Sequence, residues 1–445
     1  MTDELVPKDL RKQYTKEEIL DIEKEHLAPA VAHYYEDPVL FVNGNGANLE
    51  DSAGNQYIDL FAGICTTITG YNHPKYVATI KWQAERLVYT STMYATVPYA
   101  VLVKRLAQIA PKGLTQSFIV NSGSEANEAA LFMARKYVNN PYIVTCSRAY
   151  HGRTTLAREL SGTGWRTVPE SHPSGVRFTP YGYCFRCHFG KEYPDCDFEC
   201  ARYLREVIRT QTNNTIAAFI AEPIQGVGGI IQPPSEYFQI VHEIVKDYRG
   251  LYISDEVQTG FGRTGEKWWG IQHAGVDPDI ITMAKGFGSG IPIAGFITGP
   301  EIARDYTITD GFATYGGNPL SCAAAVAVIE IIEENNYLEK AAKLGVKLKK
   351  KLKALEEDHK LVGEVRGQGM MLGIELVRND VTKDPASEEM AKVMELTKER
   401  GLLVGKGGLD GNVIRIQPPL ELTSEQIDES CAILDEVFSE IEKKM

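Results

Sequence analysis

Residues 251–286 read LYISDEVQTGFGRTGEKWWGIQHAGVDPDIITMAKG, and this stretch decides the fold class. It contains two short apolar runs, residues 251–253 and 280–283, and charged residues follow each of them. Continuous apolar runs of this length are typical of strands buried on both faces of a parallel sheet. Because ligands bind beyond the carboxyl ends of such strands, we expect Asp255 and Lys285 to face a common site.

The same pattern extends upstream of this stretch. Further apolar runs occupy residues 117–120, 142–144 and 217–220, and helical patterns separate them. Strands that alternate with helices predict an α/β fold with a mostly parallel sheet.

The chain ends in a different pattern. A long helical pattern covers residues 321–334, and strand-like runs at 371–376 and 413–416 then alternate with helices. This order predicts a smaller α+β domain. We expect three parts, which are residues 1–60 packing with the small domain, residues 61–320 forming the large domain, and residues 321–445 forming the small domain.

Composition places the chain among ordinary soluble globular proteins. It has 445 residues, 43% of them hydrophobic, and 47 Lys plus Arg against 59 Asp plus Glu give a net charge of −12. This acidic balance argues against a nucleic-acid partner, whose phosphates require a cationic face. No apolar stretch approaches the roughly 18 residues of a membrane span. Residues 1–18 mix acidic and basic side chains, unlike a signal or transit peptide, so we expect a cytoplasmic protein.

Polar side chains follow all five apolar runs of the large domain. In chain order these stretches are NSGSEAN (121–127), AYHGRT (149–154), EPIQG (222–226), DEVQTG (255–260) and KG (285–286). A small-residue loop that opens a helix presents N–H groups and a positive dipole end to a phosphate. A lysine can form a Schiff base, an acid can keep a pyridine nitrogen protonated, and an aromatic ring can stack on a cofactor. Pyridoxal 5'-phosphate needs this set of groups.

The lysine is the centre of this hypothesis. Lys285 lies between Ala284 and Gly286 after an apolar run, where desolvation would lower the pKa of its amine. Taken alone, a lysine is more often a surface residue, and Asp255 more often a helix cap. Their occurrence together at strand ends favours a functional site.

On these residues the chain resembles the class III (subgroup II) aminotransferases, pyridoxal-phosphate enzymes of fold type I. The most specific part is DEVQTGFGRTG at 255–265, followed by PDI at 278–280 and AKG at 284–286. The resemblance runs from DLFAG at 59–63 to RIQPPL at 415–420, and it is greatest to the 4-aminobutyrate and alanine–glyoxylate types. It implies ping-pong transfer of an amino group from an ω-amino or α-amino acid to 2-oxoglutarate, pyruvate or glyoxylate.

The resemblance also implies the cofactor contacts. Lys285 would bind the cofactor and move a proton, and Asp255 would pair with the pyridine nitrogen. The other implied contacts are those of Gln258 with the ring hydroxyl, Val257 and Tyr150 with the two ring faces, and Gly123 and Ser124 with the phosphate. Thr314 corresponds to a threonine that reaches the phosphate of the neighbouring subunit, so the implied assembly is a homodimer or a dimer of dimers.

Four residues carry the implied substrate preference. Arg415 corresponds to the arginine that binds an α-carboxylate, and Glu222 to the glutamate that pairs with it when an ω-amino substrate is bound. Because a guanidinium must be used or neutralised, Glu222 could cover Arg415 in one half-reaction and release it in the other. Arg153 corresponds to an arginine that binds a remote carboxylate, although a structural ion pair is an alternative. Ile64 falls where the family lines the pocket.

Four of the eight cysteines are close in sequence, Cys184, Cys187, Cys196 and Cys200. Their paired spacing suits zinc or an iron–sulfur cluster, whereas reduced thiols or local disulfides are equally compatible with it. The family resemblance does not bear on this segment. We expect no catalytic metal, because the cofactor supplies the chemistry.

Other activities remain open at this stage. A racemase or a phospho-lyase on the same scaffold would also need Lys285 and Asp255, but would consume no amino acceptor. A cofactor-binding regulator would normally carry a DNA-binding domain, and no basic helix-turn-helix pattern occurs before residue 61 or after residue 420. A nicotinamide-dependent oxidoreductase would rely on GFGSG at 286–290, yet Pro292 follows and no helix opens there.

Overall fold

The computed structural model describes residues 5–163 and 175–444. The strands in these ranges are β1 (Phe41–Asn45), β2 (Asn48–Asp51), β3 (Gln56–Asp59), β4 (Gln116–Val120), β5 (Ile143–Cys146), β6 (Val176–Thr179), β7 (Ala218–Ala221), β8 (Leu251–Asp255), β9 (Ile280–Met283), β10 (Ala294–Thr298), β11 (Val362–Gln368), β12 (Met371–Leu376), β13 (Leu402–Leu403), β14 (Gly405–Gly407) and β15 (Val413–Ile416). The helices are α1 (Lys8–Arg11), α2 (Lys16–His26), α3 (Ala62–Cys65), α4 (Pro74–Ala84), α5 (Val97–Ile109), α6 (Gly123–Val138), α7 (Thr155–Glu159), α8 (Glu199–Gln211), α9 (Ser235–Asp247), α10 (Pro300–Ala303), α11 (Pro319–Glu334), α12 (Tyr337–Asp358), α13 (Ser387–Glu399) and α14 (Ser424–Glu442).

The large sheet has seven strands in the order β4-β10-β9-β8-β7-β5-β6. Strands β6, β5, β7, β8 and β9 pair in parallel, and every residue of β7, β8 and β9 is buried. The apolar runs of the sequence are therefore the buried strands of a mostly parallel sheet, as predicted. Strand β10 is antiparallel to both β9 and β4. Only residues 284–293 join β9 to β10, too few for the crossover that a parallel neighbour needs.

A smaller antiparallel sheet lies within residues 362–416, with its strands in the order β11-β12-β15-β14. Helix α12 packs beside it and buries Leu348, Leu352 and Leu355. Asn318 caps the amino end of helix α11, where its side chain accepts the Ser321 N–H at 2.9 Å. The helix and the two strands predicted in this region are confirmed. None of the helices in the described ranges is both long and apolar enough to span a lipid bilayer.

Chain segments from both ends meet in a third sheet, ordered β1-β2-β3-β13. Strand β3 pairs in parallel with β13, with Ile58 opposite Leu402 and Asp59 opposite Leu403. The amino-terminal strands are thus joined to the carboxyl-terminal region, while the domain boundaries drawn from the sequence stay a prediction.

Helix α3 is a single left-handed turn that leads from β3 toward the large sheet. Its four residues have φ angles between 50° and 65°, a conformation that costs non-glycine residues roughly 1–2 kcal/mol each. The buried carboxylate of Asp59 supports the turn by accepting the Phe61 N–H at 2.7 Å and the Tyr71 hydroxyl at 2.6 Å. At its other end, the Cys65 thiol donates to the Gln258 carbonyl at 3.3 Å. The turn is therefore tied to the loop that follows β8.

The cysteine cluster lies between β6 and α8. All eight cysteines are free thiols, and burial raises the pKa of both Cys184 and Cys200 to about 11. Within the part of the chain that the structure describes, no group of three or more His, Cys, Asp or Glu side chains is arranged to hold a metal ion. The structure therefore gives the metal hypothesis no support.

Candidate active site

A cavity of about 280 Å³ lies where the predicted strand ends converge. Its lining includes Gly123, Ser124, Tyr150, Arg153, Glu222, Asp255, Val257, Gln258 and Lys285. These residues follow β4, β5, β7, β8 and β9, so the parallel sheet brings together side chains that are far apart in sequence. Three of the predicted site residues do not line this cavity, namely Ile64, Thr314 and Arg415.

The amino end of α6 opens onto the cavity. Its N-cap Ser122 and Glu125 form a capping box in which the Ser122 hydroxyl accepts the Glu125 N–H at 3.3 Å. Gly123 follows, and a Cβ atom there would lie 3.1 Å from Cγ2 of Val257. The glycine thus allows the helix end to approach the loop after β8. The positive end of the α6 dipole at Gly123 and Ser124 can hold an anion such as a phosphate.

Asp255 lies at the end of β8 and accepts three hydrogen bonds. Its Oδ2 accepts from His151 Nδ1 at 2.7 Å and from Asn127 Nδ2 at 2.8 Å, and its Oδ1 accepts the Val257 N–H at 3.1 Å. The aspartate is 3% exposed and the histidine 2%. A carboxylate with three hydrogen-bond donors is held in one orientation. It can therefore stabilise a cation placed in the cavity.

His151 is a residue of the site that the sequence pattern does not single out. The structure shows that its Nε2 lies 3.2 Å from the hydroxyl of Thr145 on β5, while its Nδ1 contacts Asp255. His151 thus fixes the orientation of the aspartate. Its position in the AYHGRT loop was the only available signal.

Lys285 follows β9 and begins a short 3₁₀ turn. It has a left-handed backbone, with φ of 48°, and its side chain is half-buried. Burial lowers the pKa of its amine, and the nearby charge of Arg415 lowers it further. A lowered pKa leaves a larger fraction of the amine unprotonated near neutral pH, which a nucleophilic lysine requires.

Glu222 and Arg415 are each held by other groups of the described chain. The Glu222 carboxylate accepts the N–H groups of Tyr150 and Gly226, both at 2.9 Å. Arg415 Nη2 donates to the side-chain oxygens of Gln258 at 2.7 Å and of Gln417 at 2.8 Å. The covering of Arg415 by Glu222 during a half-reaction stays a prediction.

Burial raises the pKa of Glu222 from 4.5 to about 7, and the nearby charge of Asp255 acts in the same direction. The folded protein therefore keeps this proton at pH values where the unfolded chain has lost it. Stability should fall as pH rises between these two pKa values, by roughly 3 kcal/mol for a shift of this size. In Glu222→Gln this decrease should be missing. Urea unfolding of the cofactor-free proteins at pH 5 and pH 7.5 measures the difference.

A surface glutamate provides the control for that measurement. Glu357→Gln changes an exposed residue of α12, so its unfolding free energy should follow wild type at both pH values. If Glu222→Gln also follows wild type, Glu222 does not hold its proton in the folded protein.

Three further predicted residues are exposed, and of these only Arg153 lines the cavity. Arg153 is exposed, and its backbone N–H donates to Ser124 Oγ at 3.0 Å, so its loop is attached to the amino end of α6. Ile64 is 46% exposed on the left-handed turn. Thr314 is exposed, and its carbonyl accepts the Tyr89 hydroxyl at 2.9 Å.

The residues around the cavity fit pyridoxal 5'-phosphate. The α6 amino end suits its phosphate, the Asp255 carboxyl group suits its ring nitrogen, and Lys285 suits its aldehyde carbon. Val257 and Tyr150 line the space between these groups.

Known proteins that resemble this chain in sequence and in fold include aminotransferases. Residues 30–438 match the family model described as aminotransferase class-III. The chain is 38% identical over 430 residues to human mitochondrial alanine–glyoxylate aminotransferase 2, covering 92% of this chain and 84% of that protein. It is 37% identical to the leucine/methionine racemase of Thermococcus litoralis, covering 96% of each chain. A Bacillus anthracis aminotransferase structure superposes with a TM-score of 0.90 at 31% identity, covering 96% of this chain and all of that one.

Proposed function

The chain belongs to the class III aminotransferases, a family that depends on pyridoxal 5'-phosphate, and we propose that it moves an amino group from an ω-amino or α-amino acid to 2-oxoglutarate, pyruvate or glyoxylate. The observation that carries the proposal is the cavity at the end of β8 and β9. Its lining combines Lys285, whose pKa is lowered, with Asp255, which His151 and Asn127 hold.

Each part of the reaction depends on a group of this chain. The Lys285 amine is the nucleophile that binds the cofactor, and its Nζ takes the proton from the amine-bearing carbon and returns it. Asp255 keeps a positive charge on the ring nitrogen, and the surrounding burial strengthens that interaction. When bound, the cofactor supplies an electron sink for the charge left on carbon.

The charged side chains support a carboxylate-bearing substrate. We propose that Arg415 receives the α-carboxylate of a keto acid or α-amino acid. Glu222, with a pKa of about 7, can change its charge near neutral pH and so adjust to substrates with and without that carboxylate. The name of the human relative supports alanine and glyoxylate as one donor–acceptor pair.

Arg153 is proposed to bind the carboxylate remote from the reacting amine. Replacing it by alanine should lower kcat/KM for 4-aminobutyrate about 10–100-fold, as expected for loss of a charge-assisted hydrogen bond. Simple amines without a carboxylate should lose less than about threefold. Steady-state kinetics on 4-aminobutyrate and propylamine measure both values. Equal losses for the two donors would contradict the proposed role.

A donor panel tests the proposed function. The holoenzyme is mixed with one α-, β- or γ-amino acid at a time, without an acceptor, and the cofactor absorbance is followed. A donor should convert the aldehyde form to the amine form. Absence of conversion with every donor would reject the proposal, and the ranking of rates identifies the preferred donor class.

We further propose that the working unit is a homodimer or a dimer of dimers. Exposed apolar side chains concentrate around Thr314, including Tyr89, Met93, Phe312 and Tyr315. The rings of Tyr89 and Tyr315 pack with centroids 5.6 Å apart, which joins two segments into one surface. A patch of this kind is typical of a surface that a partner covers. A second copy on it would allow Thr314 to reach the neighbouring site.

Amino acid racemisation is the second candidate function. It is favoured by the match to the Thermococcus racemase along nearly the full length of both chains. Racemisation would use Lys285 and Asp255 in the same way but would consume no keto acid. Incubating the holoenzyme with one enantiomer of leucine and analysing the product on a chiral column distinguishes the two candidates.

A further inference from the structure

Three buried side chains beside the cavity, those of Arg415, Gln258 and Gln417, are joined to one another by hydrogen bonds. Arg415 Nη2 donates to Gln258 Oε1 at 2.7 Å and to Gln417 Oε1 at 2.8 Å. Gln417 Nε2 in turn donates to Gln258 Oε1 at 3.2 Å. Gln417 is 0% exposed, Arg415 4% and Gln258 5%. Each side chain therefore contacts the other two, away from bulk solvent.

The surrounding backbone leaves these side chains little freedom. A Cβ atom on Gly226 would lie 2.3 Å from Gln258 Nε2, and one on Gly407 would lie 2.5 Å from Arg415 Cδ. The Gln417 N–H donates to the Leu60 carbonyl at 2.6 Å. The position of the guanidinium is thus set by the chain that packs around it.

The chemistry of the acceptors matters for substrate binding. One nitrogen of Arg415 is occupied by two amide oxygens, and a guanidinium binds a carboxylate more strongly than it binds a neutral amide. An incoming carboxylate can therefore displace the amides. A fixed carboxylate in their place would instead compete with the substrate.

We propose that Gln417 is a positioning residue that holds Arg415 ready for a substrate carboxylate and so helps to select α-keto and α-amino acids. The proposal rests on the aminotransferase function stated above. Gln417 also connects Arg415 to Gln258, which is proposed to contact the ring hydroxyl of the cofactor. The carboxylate site and the cofactor site thereby share one amide oxygen.

The test compares holoenzyme carrying Gln417→Glu with wild type. KM for pyruvate should rise at least about tenfold, because the new carboxylate competes for Arg415. The value of kcat and the half-reaction rate with propylamine should change less than about threefold, since that amine has no carboxylate. Calorimetric titration with propionate, which cannot react, should give a dissociation constant raised by a similar factor.

Two further variants complete the test. Gln108→Glu is the matched control, because Gln108 is an exposed glutamine that accepts from Arg105 Nη1 at 2.7 Å, and it should leave every constant unchanged. Gln417→Asn keeps the amide but withdraws it from Arg415, and should raise KM for pyruvate and the propionate dissociation constant about threefold or more. If Gln417→Glu does not fold, the Gln417→Asn variant provides the test.

Unchanged pyruvate and propionate constants in both Gln417 variants would overturn the inference. Equal losses for pyruvate and propylamine, as a merely structural role would give, would also overturn it. If wild type transfers no amino group to any keto acid, the proposed function fails, while the propionate titration still measures the role of Gln417 in carboxylate binding.

Discussion

Lys285→Ala should reduce turnover at least about 10⁴-fold, the upper range for loss of an acid–base group alone. The variant should also lack the visible absorbance that arises when the cofactor is bound covalently to a lysine. The physical reason is that Lys285, which lines the cavity, is proposed to supply both the nucleophilic amine and the proton carrier. Spectra of the reconstituted variant and its rate with the best donor measure the two effects.

Lys349→Ala is the matched control. Burial lowers the pKa of Lys349 too, but its Nζ donates to the carbonyl of Gly367 on β11, in the smaller antiparallel sheet, at 2.7 Å. This variant should keep the spectrum and the turnover of wild type. If Lys285→Ala keeps them as well, the assignment of the cofactor lysine is wrong.

Asp255→Asn should lower kcat about 10²–10³-fold, the usual cost of removing one preorganised electrostatic contact. An amide cannot hold a positive charge on the ring nitrogen, so the electron sink weakens. The same change leaves His151 beside a neutral partner in a buried position. Steady-state kinetics and the thermal unfolding midpoint of the holoenzyme report the two consequences separately.

Two other variants separate chemistry from folding. Asp279→Asn changes an aspartate at the amino end of β9, where it accepts from Lys246 and from the Tyr252 N–H. It should lower stability with little loss of kcat. His151→Asn can keep one N–H donor toward Asp255, and should retain more activity than His151→Ala. Equal kcat in Asp255→Asn and wild type would refute the role given to the aspartate.

Much of the fold could be predicted because its buried strands consist almost entirely of apolar residues. Runs such as 251–253 and 280–283 are almost wholly apolar, a pattern typical of strands that are covered on both faces. The antiparallel direction of β10 is not part of that prediction, although the short connection from β9 is consistent with it. The left-handed turn at Ala62–Cys65 was also hidden, because Ile64 and Cys65 are residue types that disfavour it.

The candidate site could also be predicted only in part. Groups at strand ends, such as Lys285 and Glu222, could be found because each stands directly after an apolar run. The partners that orient them could not, since they are contacts between distant positions. His151 lies 104 positions from Asp255, and Gln417 lies 159 positions from Gln258. The sequence shows the residues but not these pairings.

The most direct test of the central claim is the fate of the amino group in a single half-reaction. Holoenzyme given a ¹⁵N-labelled amino donor and no acceptor should retain the label on the enzyme and release one carbonyl product per active site. This product is a keto acid from an α-amino donor or an aldehyde acid from an ω-amino donor. Added pyruvate or glyoxylate should then carry the label away as an amino acid. Release of labelled ammonia, or return of the label in the opposite enantiomer of the donor without keto acid formation, would contradict the assignment as an aminotransferase.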